Sequence, residues 1–275
     1  MKALLTALTI ALALPAWSQN APCGPEAPCT IDGGDYHLMA PDGWDGATPL
    51  PALVFFHGFR SSGASVFRSA GLKRTFGGQG FLVIAPNGAK RPGTDIRAWP
   101  ARPDVGRDDV AFTLDVVEDV ARQVPLARDS VYVTGFSAGG SMAWMMACYA
   151  GERFAGFASV AGALRRPNPA PVCPTGPVRM LQIHGFADAQ VPLEGRGIRD
   201  WHQGDVFESL SLVRRTNECR SNPDAISIGD PFSCREWSSC AGGGVKMCLH
   251  TGGHGLPAGW TDLALDWFMG AATEQ

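Results

Sequence analysis

A ten-residue stretch at positions 131–140, Val-Tyr-Val-Thr-Gly-Phe-Ser-Ala-Gly-Gly, restricts the possible folds more than any other part of the chain. Its first half is apolar and β-branched, as in a buried strand, and a helical pattern begins directly after it. Ser137 lies between Gly135 and Gly139. A sharp strand-to-helix turn strains the serine backbone, and side chains at the two glycines would collide with the neighbouring elements. We interpret the stretch as a nucleophile elbow, which exposes a serine hydroxyl at a helix N-terminus.

Short apolar runs alternate with helical patterns along the chain. The runs at 52–56 and 81–85 are continuously apolar, which indicates strands buried on both faces of a sheet. Further strands are predicted at 36–40, 130–136, 156–161, 178–183, 234–237 and 245–250, and helices at 62–76, 108–124, up to 150 after the elbow, 205–216 and 260–268. This alternation predicts an α/β fold with a mostly parallel, doubly wound sheet.

The predicted helix at 108–124 has one apolar face by spacing. Its members recur at steps of four and three, and they are Val110, Leu114, Val117, Ala121 and Val124. Asp108 and Asp109 occupy its first turn, where acidic side chains favour the helix dipole. We therefore interpret both acids as structural.

Length and charge exclude several classes of protein. The 275 residues are 45% apolar and 18% charged, which is enough for one sizeable core and predicts a single domain over 19–275. The net charge of −3 provides no basic surface for nucleic acid or for a membrane. We expect neither nucleic acid nor a membrane span among its partners.

The first 18 residues have the pattern of a secretory signal. Lys2 supplies the positive start, positions 3–14 are apolar, and Ala16-Trp17-Ser18 follows as a cleavage region. A membrane anchor is the alternative, but the apolar run is too short to span a bilayer. The predicted location is outside the cytoplasm, either secreted or periplasmic.

A serine nucleophile needs a base, and the base needs a carboxylate that holds its tautomer. In folds of this type the order is Ser, acid, His, each on a loop at the carboxyl end of a strand. His254 fits the base because it follows the last strand, with His250 as the nearest rival. Asp188 fits the acid because it follows the strand at 178–183; Asp200 and Glu194 are its rivals.

The oxyanion of an acyl-transfer intermediate needs two backbone donors. One is predicted to be the N–H of Ala138, directly after the nucleophile. The second is predicted to be the N–H of Phe59, in the loop that follows the strand at 52–56. His57, in the same loop, is interpreted as a loop-bracing side chain without a catalytic role.

Six stretches together resemble the secreted poly(3-hydroxybutyrate) depolymerase and feruloyl esterase group of α/β-hydrolases. They are Pro-Asp-Gly-Trp-Asp-Gly (41–46), Phe-His-Gly (56–58), Asp-Asp-Val (108–110), the elbow (131–140), His-Gly-Phe-Ala-Asp-Ala-Gln-Val-Pro (184–192) and Gly-Gly-His (252–254). The resemblance implies the same triad of Ser137, Asp188 and His254.

The chain departs from this group two residues after the histidine. Members often carry a tryptophan there, and this chain has Leu256. Trp260 or Trp99 could replace it as an aromatic subsite, although both are more typical of packing. Polymer-degrading members also carry a separate binding domain, which we expect this chain to lack.

The eight cysteines form an even set in a chain predicted to be exported, which favours disulfides. A zinc site is the alternative, but Cys-x₂-Cys spacing is absent. Hairpin geometry and the family pattern together imply four pairs: Cys23–Cys29, Cys148–Cys173, Cys219–Cys240 and Cys234–Cys248. Residues that face each other in an antiparallel hairpin have residue numbers with a constant sum. The numbers of Cys234 and Cys248 have the same sum as those of Trp237 and Val245, so the two cysteines should face each other.

These features predict a serine carboxylesterase that works through an acyl-enzyme without metal or cofactor. The candidate substrates are small or oligomeric esters of hydroxyalkanoic, ferulic, acetic or other acids. A peptidase on the same fold and a non-catalytic binding protein are the alternatives. The absence of a gating domain counts against the first, and the intact triad counts against the second. The sequence leaves the acyl group, the alcohol and the oligomeric state open.

Overall fold

A computed structural model describes residues 23–102, 105–167 and 171–270. Its strands are β1 (Cys29–Ile31), β2 (Gly34–Met39), β3 (Leu50–Phe56), β4 (Leu82–Pro86), β5 (Ala89–Lys90), β6 (Arg97–Ala98), β7 (Leu126–Phe136), β8 (Gly156–Val160), β9 (Arg179–Gly185), β10 (Gly197–Ile198), β11 (Trp201–His202), β12 (Ala225–Ser227), β13 (Ser233–Trp237) and β14 (Gly244–His250). Its helices are α1 (Gly63–Val66), α2 (Ala70–Thr75), α3 (Asp109–Gln123), α4 (Ala138–Tyr149), α5 (Val206–Thr216) and α6 (Trp260–Met269). The predicted signal at 1–18 lies outside the described residues.

Ten strands form one sheet in the order β1-β2-β4-β3-β7-β8-β9-β14-β13-β12. The central strands β4, β3, β7, β8, β9 and β14 run parallel, and antiparallel strands close both edges. This arrangement confirms the predicted single-domain α/β-hydrolase fold. Because the central strands are parallel, the loops after β3, β7, β9 and β14 all leave the same edge of the sheet.

The hydrophobic core has two halves, one on each face of the sheet. Alternate residues of β3 belong to different halves: Val54 and Phe56 lie in the half that contains residues of α3, α4 and α5, whereas Leu53 and Phe55 lie in the half that contains residues of α2 and α6. A strand whose side chains are buried on both faces reads as a continuous apolar run. The sequence pattern of β3 is explained by this burial.

Two details of the helices differ from expectation. The segment predicted as one helix at 62–76 forms the two short helices α1 and α2, because the Ser69 side chain accepts the N–H of Leu72 and starts a new helix. In α3 the buried apolar side chains are Phe112, Val116 and Val120, and of the predicted set Val124, directly after the helix, is also buried. Of that set, Val110, Leu114 and Val117 are partly buried at the margin of the core.

Polar side chains at the start of α3 have partners close in the sequence, although Asp109 Oδ2 has no hydrogen-bond partner among the described residues. Asp108 caps the helix by accepting the N–H groups of Val110 and Ala111. Asp109 is buried in an ion pair with Arg107, and Thr113 donates to the carbonyl of Asp109 at 2.7 Å. The structural interpretation of both acids agrees with these contacts. Such local partners let polar residues lie on a helix face that spacing alone assigns to solvent.

The eight cysteines lie in pairs at disulfide-bonding distance. The pairs are Cys23–Cys29, Cys148–Cys173, Cys219–Cys240 and Cys234–Cys248. In the β13–β14 hairpin Cys234 faces Cys248 and Trp237 faces Val245, which is the predicted register. The last pair therefore joins the two strands immediately before the loop that contains His254.

Candidate active site

Ser137 occupies a strained turn between β7 and α4. Its φ of 58° and ψ of −117° are unusual for a residue with a side chain, and its N–H donates to the carbonyl of Val160 at 2.9 Å. A Cβ at Gly135 would overlap the carbonyl of Gly139, and a Cβ at Gly139 would overlap that of Phe56. The two glycines therefore permit the close crossing of strand and helix that holds the serine in this conformation.

His254 lies in the loop between β14 and α6 and reaches the serine. The Ser137 hydroxyl donates to His254 Nε2 at 2.9 Å. The imidazole also packs against the ring of Phe136, with 5.0 Å between ring centroids. Only 9% of the His254 side chain is exposed, so it has little freedom to turn away from the hydroxyl.

Asp188 holds the other side of the same imidazole. His254 Nδ1–H donates to Asp188 Oδ2 at 2.8 Å, while Oδ1 accepts the N–H groups of Gln190 and Val191, each at 2.8 Å. Burial alone would raise the pKa of Asp188. Hydrogen bonds from His184, the Val191 N–H and His254 outweigh that effect and hold the pKa well below its usual range. The carboxylate therefore remains ionised next to the imidazole.

The loop that carries Asp188 (the acid loop) and the loop that carries His254 (the histidine loop) are joined by backbone hydrogen bonds. Phe186 N–H donates to the carbonyl of His250 at 2.8 Å, and Ala187 N–H donates to that of Gly252 at 3.1 Å. A Cβ at Gly185 would overlap the carbonyls of Gly252 and Gly253, so only glycine permits this approach. These contacts fix the distance between the loops that carry Asp188 and His254.

The alternative candidates for the base (His250) and for the acid (Asp200 and Glu194) do not join this hydrogen-bond chain. His250 Nδ1 accepts the N–H of Gly252 at 3.1 Å. Asp200 and Glu194 are exposed. The geometry thus joins Ser137, His254 and Asp188 in one chain of hydrogen bonds, which can move a proton from a hydroxyl to an imidazole that a carboxylate stabilises.

Two backbone amides are candidates for the oxyanion donors: Phe59 in the loop after β3, and Ala138 directly after Ser137. In the described part of the chain, neither the N–H of Phe59 nor that of Ala138 donates to a protein acceptor. Ala138 begins α4, so its N–H is one of the free donors at a helix N-terminus. Both amides are available for an external acceptor such as an oxyanion.

His57 braces this loop from below, as expected. Its Nδ1–H donates to the carbonyl of Gly58 at 2.8 Å, and its Nε2 accepts the N–H of Gly88 at 3.0 Å. Burial lowers the pKa of His57 to about 4, so the ring is neutral at ordinary pH. The Trp99 ring is tilted against this ring, with 5.3 Å between centroids, and its indole N–H donates to the carbonyl of His57 at 3.0 Å.

Neither tryptophan considered as a replacement subsite is open. Trp99 is buried beneath the His57 loop, and Trp260 packs edge-on against Phe55 in the core. Exposed apolar side chains instead occupy the loops that carry the site: Phe59 is 46% exposed, Phe186 73% and Leu256 41%. The sequence did not single out Phe186, although its place two residues before Asp188 in the acid loop could have drawn attention to it.

Within residues 23–102, 105–167 and 171–270, no three His, Cys, Asp or Glu side chains form a group that could hold a metal ion. No helix there has the length and apolar character needed to cross a membrane.

Comparisons with known proteins agree with the fold and identify esterases as relatives of the chain. Residues 51–209 match the protein family described as alpha/beta hydrolase fold. Over 237 residues the chain is 36% identical to NocK of Nocardia uniformis subsp. tsuyamanensis, which is assigned as an esterase; the match covers 76% of this chain and 66% of that protein. It is 28% identical over 291 residues to feruloyl esterase C of Emericella nidulans, with 97% of each chain covered. Among solved structures, acetyl xylan esterase from Aspergillus awamori aligns with a TM-score of 0.67 at 16% identity, over 86% of this chain and 94% of that one.

Proposed function

The chain belongs to the α/β-hydrolase family and is an esterase of that fold, and we propose that it is a secreted serine carboxylesterase that acts through Ser137, His254 and Asp188. The resemblance to feruloyl esterases is confirmed by relatives of that name at 28% and 27% identity over nearly the whole chain. The observation that carries the proposed mechanism is the continuous hydrogen-bond chain from the Ser137 hydroxyl through His254 to Asp188.

The first half of the reaction transfers the acyl group to the enzyme. His254 Nε2 takes the Ser137 proton as Oγ attacks the ester carbonyl. The N–H groups of Ala138 and Phe59 hold the negative oxygen of the tetrahedral intermediate. His254 then gives its proton to the alcohol oxygen, the carbon–oxygen bond breaks, and the alcohol leaves an acyl-Ser137.

The second half regenerates the serine. His254 takes a proton from water, the resulting hydroxide attacks the acyl carbon, and the proton returns to Ser137 as the acid leaves. Asp188 stabilises the imidazolium in both halves and keeps Nδ1 protonated, so that Nε2 faces the hydroxyl.

The proposed substrates are soluble esters, namely feruloyl and other aryl esters, acetyl esters and hydroxyacyl esters. The names of the relatives support the aromatic acyl class. The exposed side chains of Phe59, Phe186 and Leu256 supply an apolar surface on the loops that carry the site. Methyl ferulate, acetylated xylan and hydroxybutyrate oligomers, compared at equal enzyme concentration, distinguish these classes.

The direct test of the mechanism is Ser137→Ala with p-nitrophenyl butyrate as substrate. We expect kcat to fall by on the order of 10⁴-fold or more, because the triad acts as a unit. Ser159→Ala is the matched control, since the Ser159 hydroxyl is buried in β8 and has no hydrogen-bond partner among the described residues. Near-normal turnover by Ser137→Ala would refute the mechanism, and hydrolysis of a dipeptide amide by the unaltered chain would favour a peptidase.

Export is the second part of the proposal. It is supported by the pattern of residues 1–18 and by the four cysteine pairs at bonding distance. Expression of the whole chain in a bacterium, followed by N-terminal sequencing of the exported protein, should give a mature chain that begins near Gln19. A chain retained in the cytoplasm with Met1 intact would refute this part.

A further inference from the structure

A second chain of buried polar side chains, separate from His254, leads to Asp188. It consists of Trp144 in α4, Gln182 in β9 and His184 at the end of the same strand, all fully buried. Trp144 Nε1–H donates to Gln182 Oε1 at 2.7 Å. Gln182 and His184 are joined at 2.8 Å between Nε2 and Nδ1. Buried polar side chains of this kind are costly unless each member is satisfied, which makes their arrangement specific.

The direction of every bond in this chain follows from Trp144. An indole N–H can only donate, so the oxygen of the Gln182 amide must face it. The amide nitrogen then donates to the carbonyl of Gly162 at 3.0 Å and to His184 Nδ1 at 2.8 Å. His184 Nδ1 is therefore an acceptor, and the proton of the neutral ring is on Nε2.

That proton lies beside the candidate acid. His184 Nε2 lies 2.8 Å from the carbonyl of Val191 and 3.4 Å from Asp188 Oδ2, which is the oxygen that accepts from His254. The N–H therefore donates to the loop carbonyl of Val191 and lies close enough to the carboxylate for a favourable electrostatic contact. Asp188 Oδ1 is held by two amides of the same loop, so both oxygens have fixed donors.

We propose that His184 is a positioning residue, which acts through Asp188: its Nε2–H, fixed by Trp144 and Gln182, holds the carboxylate in the orientation that His254 requires. The inference rests on the proposed function of Ser137, His254 and Asp188. It also gives a physical link between two parts of the site, because Trp144 belongs to the helix that begins directly after Ser137. A shift of that helix is passed to the acid through hydrogen bonds.

Kinetics of two substitutions at one position test the proposal. His184→Leu removes the donor at similar volume, whereas His184→Gln can place an amide N–H near the position of Nε2. We expect His184→Leu to lower kcat on p-nitrophenyl butyrate by about tenfold with KM within about twofold, and His184→Gln to recover most of the loss. Equal kcat in His184→Leu and the unaltered chain would overturn the proposal, and so would a loss of the same size in both variants.

Asn217→Leu is the control for general damage to strand β9. Asn217 is fully buried and bonds both the N–H and the carbonyl of Val178, next to the end of β9 remote from the site. Its substitution should lower the free energy of unfolding and leave kcat unchanged. A fall in kcat as large as that of His184→Leu would assign the His184 effect to stability alone.

The tautomer can be measured without any substitution near the site. In the intact protein labelled with ¹⁵N-histidine, long-range proton–nitrogen spectra should show His184 protonated at Nε2 and not at Nδ1. Trp144→Phe frees the Gln182 amide to rotate and should introduce the other tautomer. A proton on Nδ1 in the unaltered chain would overturn the proposal even if His184→Leu does not fold. Failure of the proposed function would be distinct, since Ser137→Ala would then remain active.

Discussion

Mild acid is expected to destabilise the folded chain through His57. Burial holds the pKa of this imidazole at about 4, against an ordinary value of 6.5. The unfolded chain therefore binds a proton at His57 as the pH falls below about 6.5, whereas the folded chain does so only near pH 4. Unfolding takes up a proton throughout this window, so stability falls as the pH decreases.

The size of the effect follows from the two pKa values. The difference between 6.5 and about 4, at about 1.4 kcal/mol per pKa unit, corresponds to about 3 kcal/mol of unfolding free energy. Most of this loss should be present at about pH 4.5. The protonated ring could no longer accept the Gly88 N–H, so the loop that carries Phe59 would lose its brace at the same time.

The effect can be measured by urea unfolding at about pH 7.5 and at about pH 4.5, with tryptophan fluorescence as the signal. In His57→Gln the loss of unfolding free energy between the two pH values should be smaller by about 2–3 kcal/mol, whatever the stability of the variant at neutral pH. Asp188 does not interfere, because its lowered pKa means that its contribution is lost only at more acidic pH. An equal loss in the variant and the unaltered chain would refute the account of His57.

Three further outcomes are expected. Asp188→Asn should lower kcat on short esters by less than Ser137→Ala, because the base remains present while its preferred tautomer is lost; an unchanged kcat would contradict the assignment of the acid. Replacing Cys148 and Cys173 together by Ala should lower the unfolding free energy by about 3 kcal/mol, from the 25-residue separation that the bond closes, and free thiols at both positions in non-reducing peptide maps would contradict the pairing. The chain should hydrolyse p-nitrophenyl butyrate readily and cause much weaker mass loss from crystalline polyhydroxybutyrate film, because attack on a solid depends on tethering to its surface; rapid clearing of the film would contradict this.

The order and type of the main elements could be predicted because their sequence patterns report burial directly. The continuous apolar runs of β3 and β4 correspond to strands covered on both faces. The index sum of Cys234 and Cys248 gave the register of the hairpin, since antiparallel pairing keeps that sum constant. Motif order along the chain was enough to select three residues that the fold brings into hydrogen-bond contact.

The failures concern hydrogen-bond partners, some close in the sequence and some far apart, that residue spacing does not encode. The face of α3 was misassigned because Thr113 and Asp109 find local partners that make their burial possible. The neighbourhood of His184 could not be predicted, because its hydrogen-bond partner Gln182 is oriented by an indole 38 residues earlier in the chain. Sequence spacing contains no information about which buried amide faces which ring.

All four cysteine pairs are local in the chain, with sequence separations of 6, 25, 21 and 14. Eight cysteines can form four pairs in about 105 ways. If the chain crosses a membrane with its N-terminus first, however, both cysteines of each of the first two pairs emerge before the next cysteine does. The last two pairs overlap, because Cys234 emerges between Cys219 and Cys240. Oxidative folding in vectorial order should therefore need an oxidant throughout and an isomerase only for the Cys219–Cys234 mispair. That mispair should accumulate when oxidation precedes formation of the β13–β14 hairpin, and acid-trapped intermediates would reveal it.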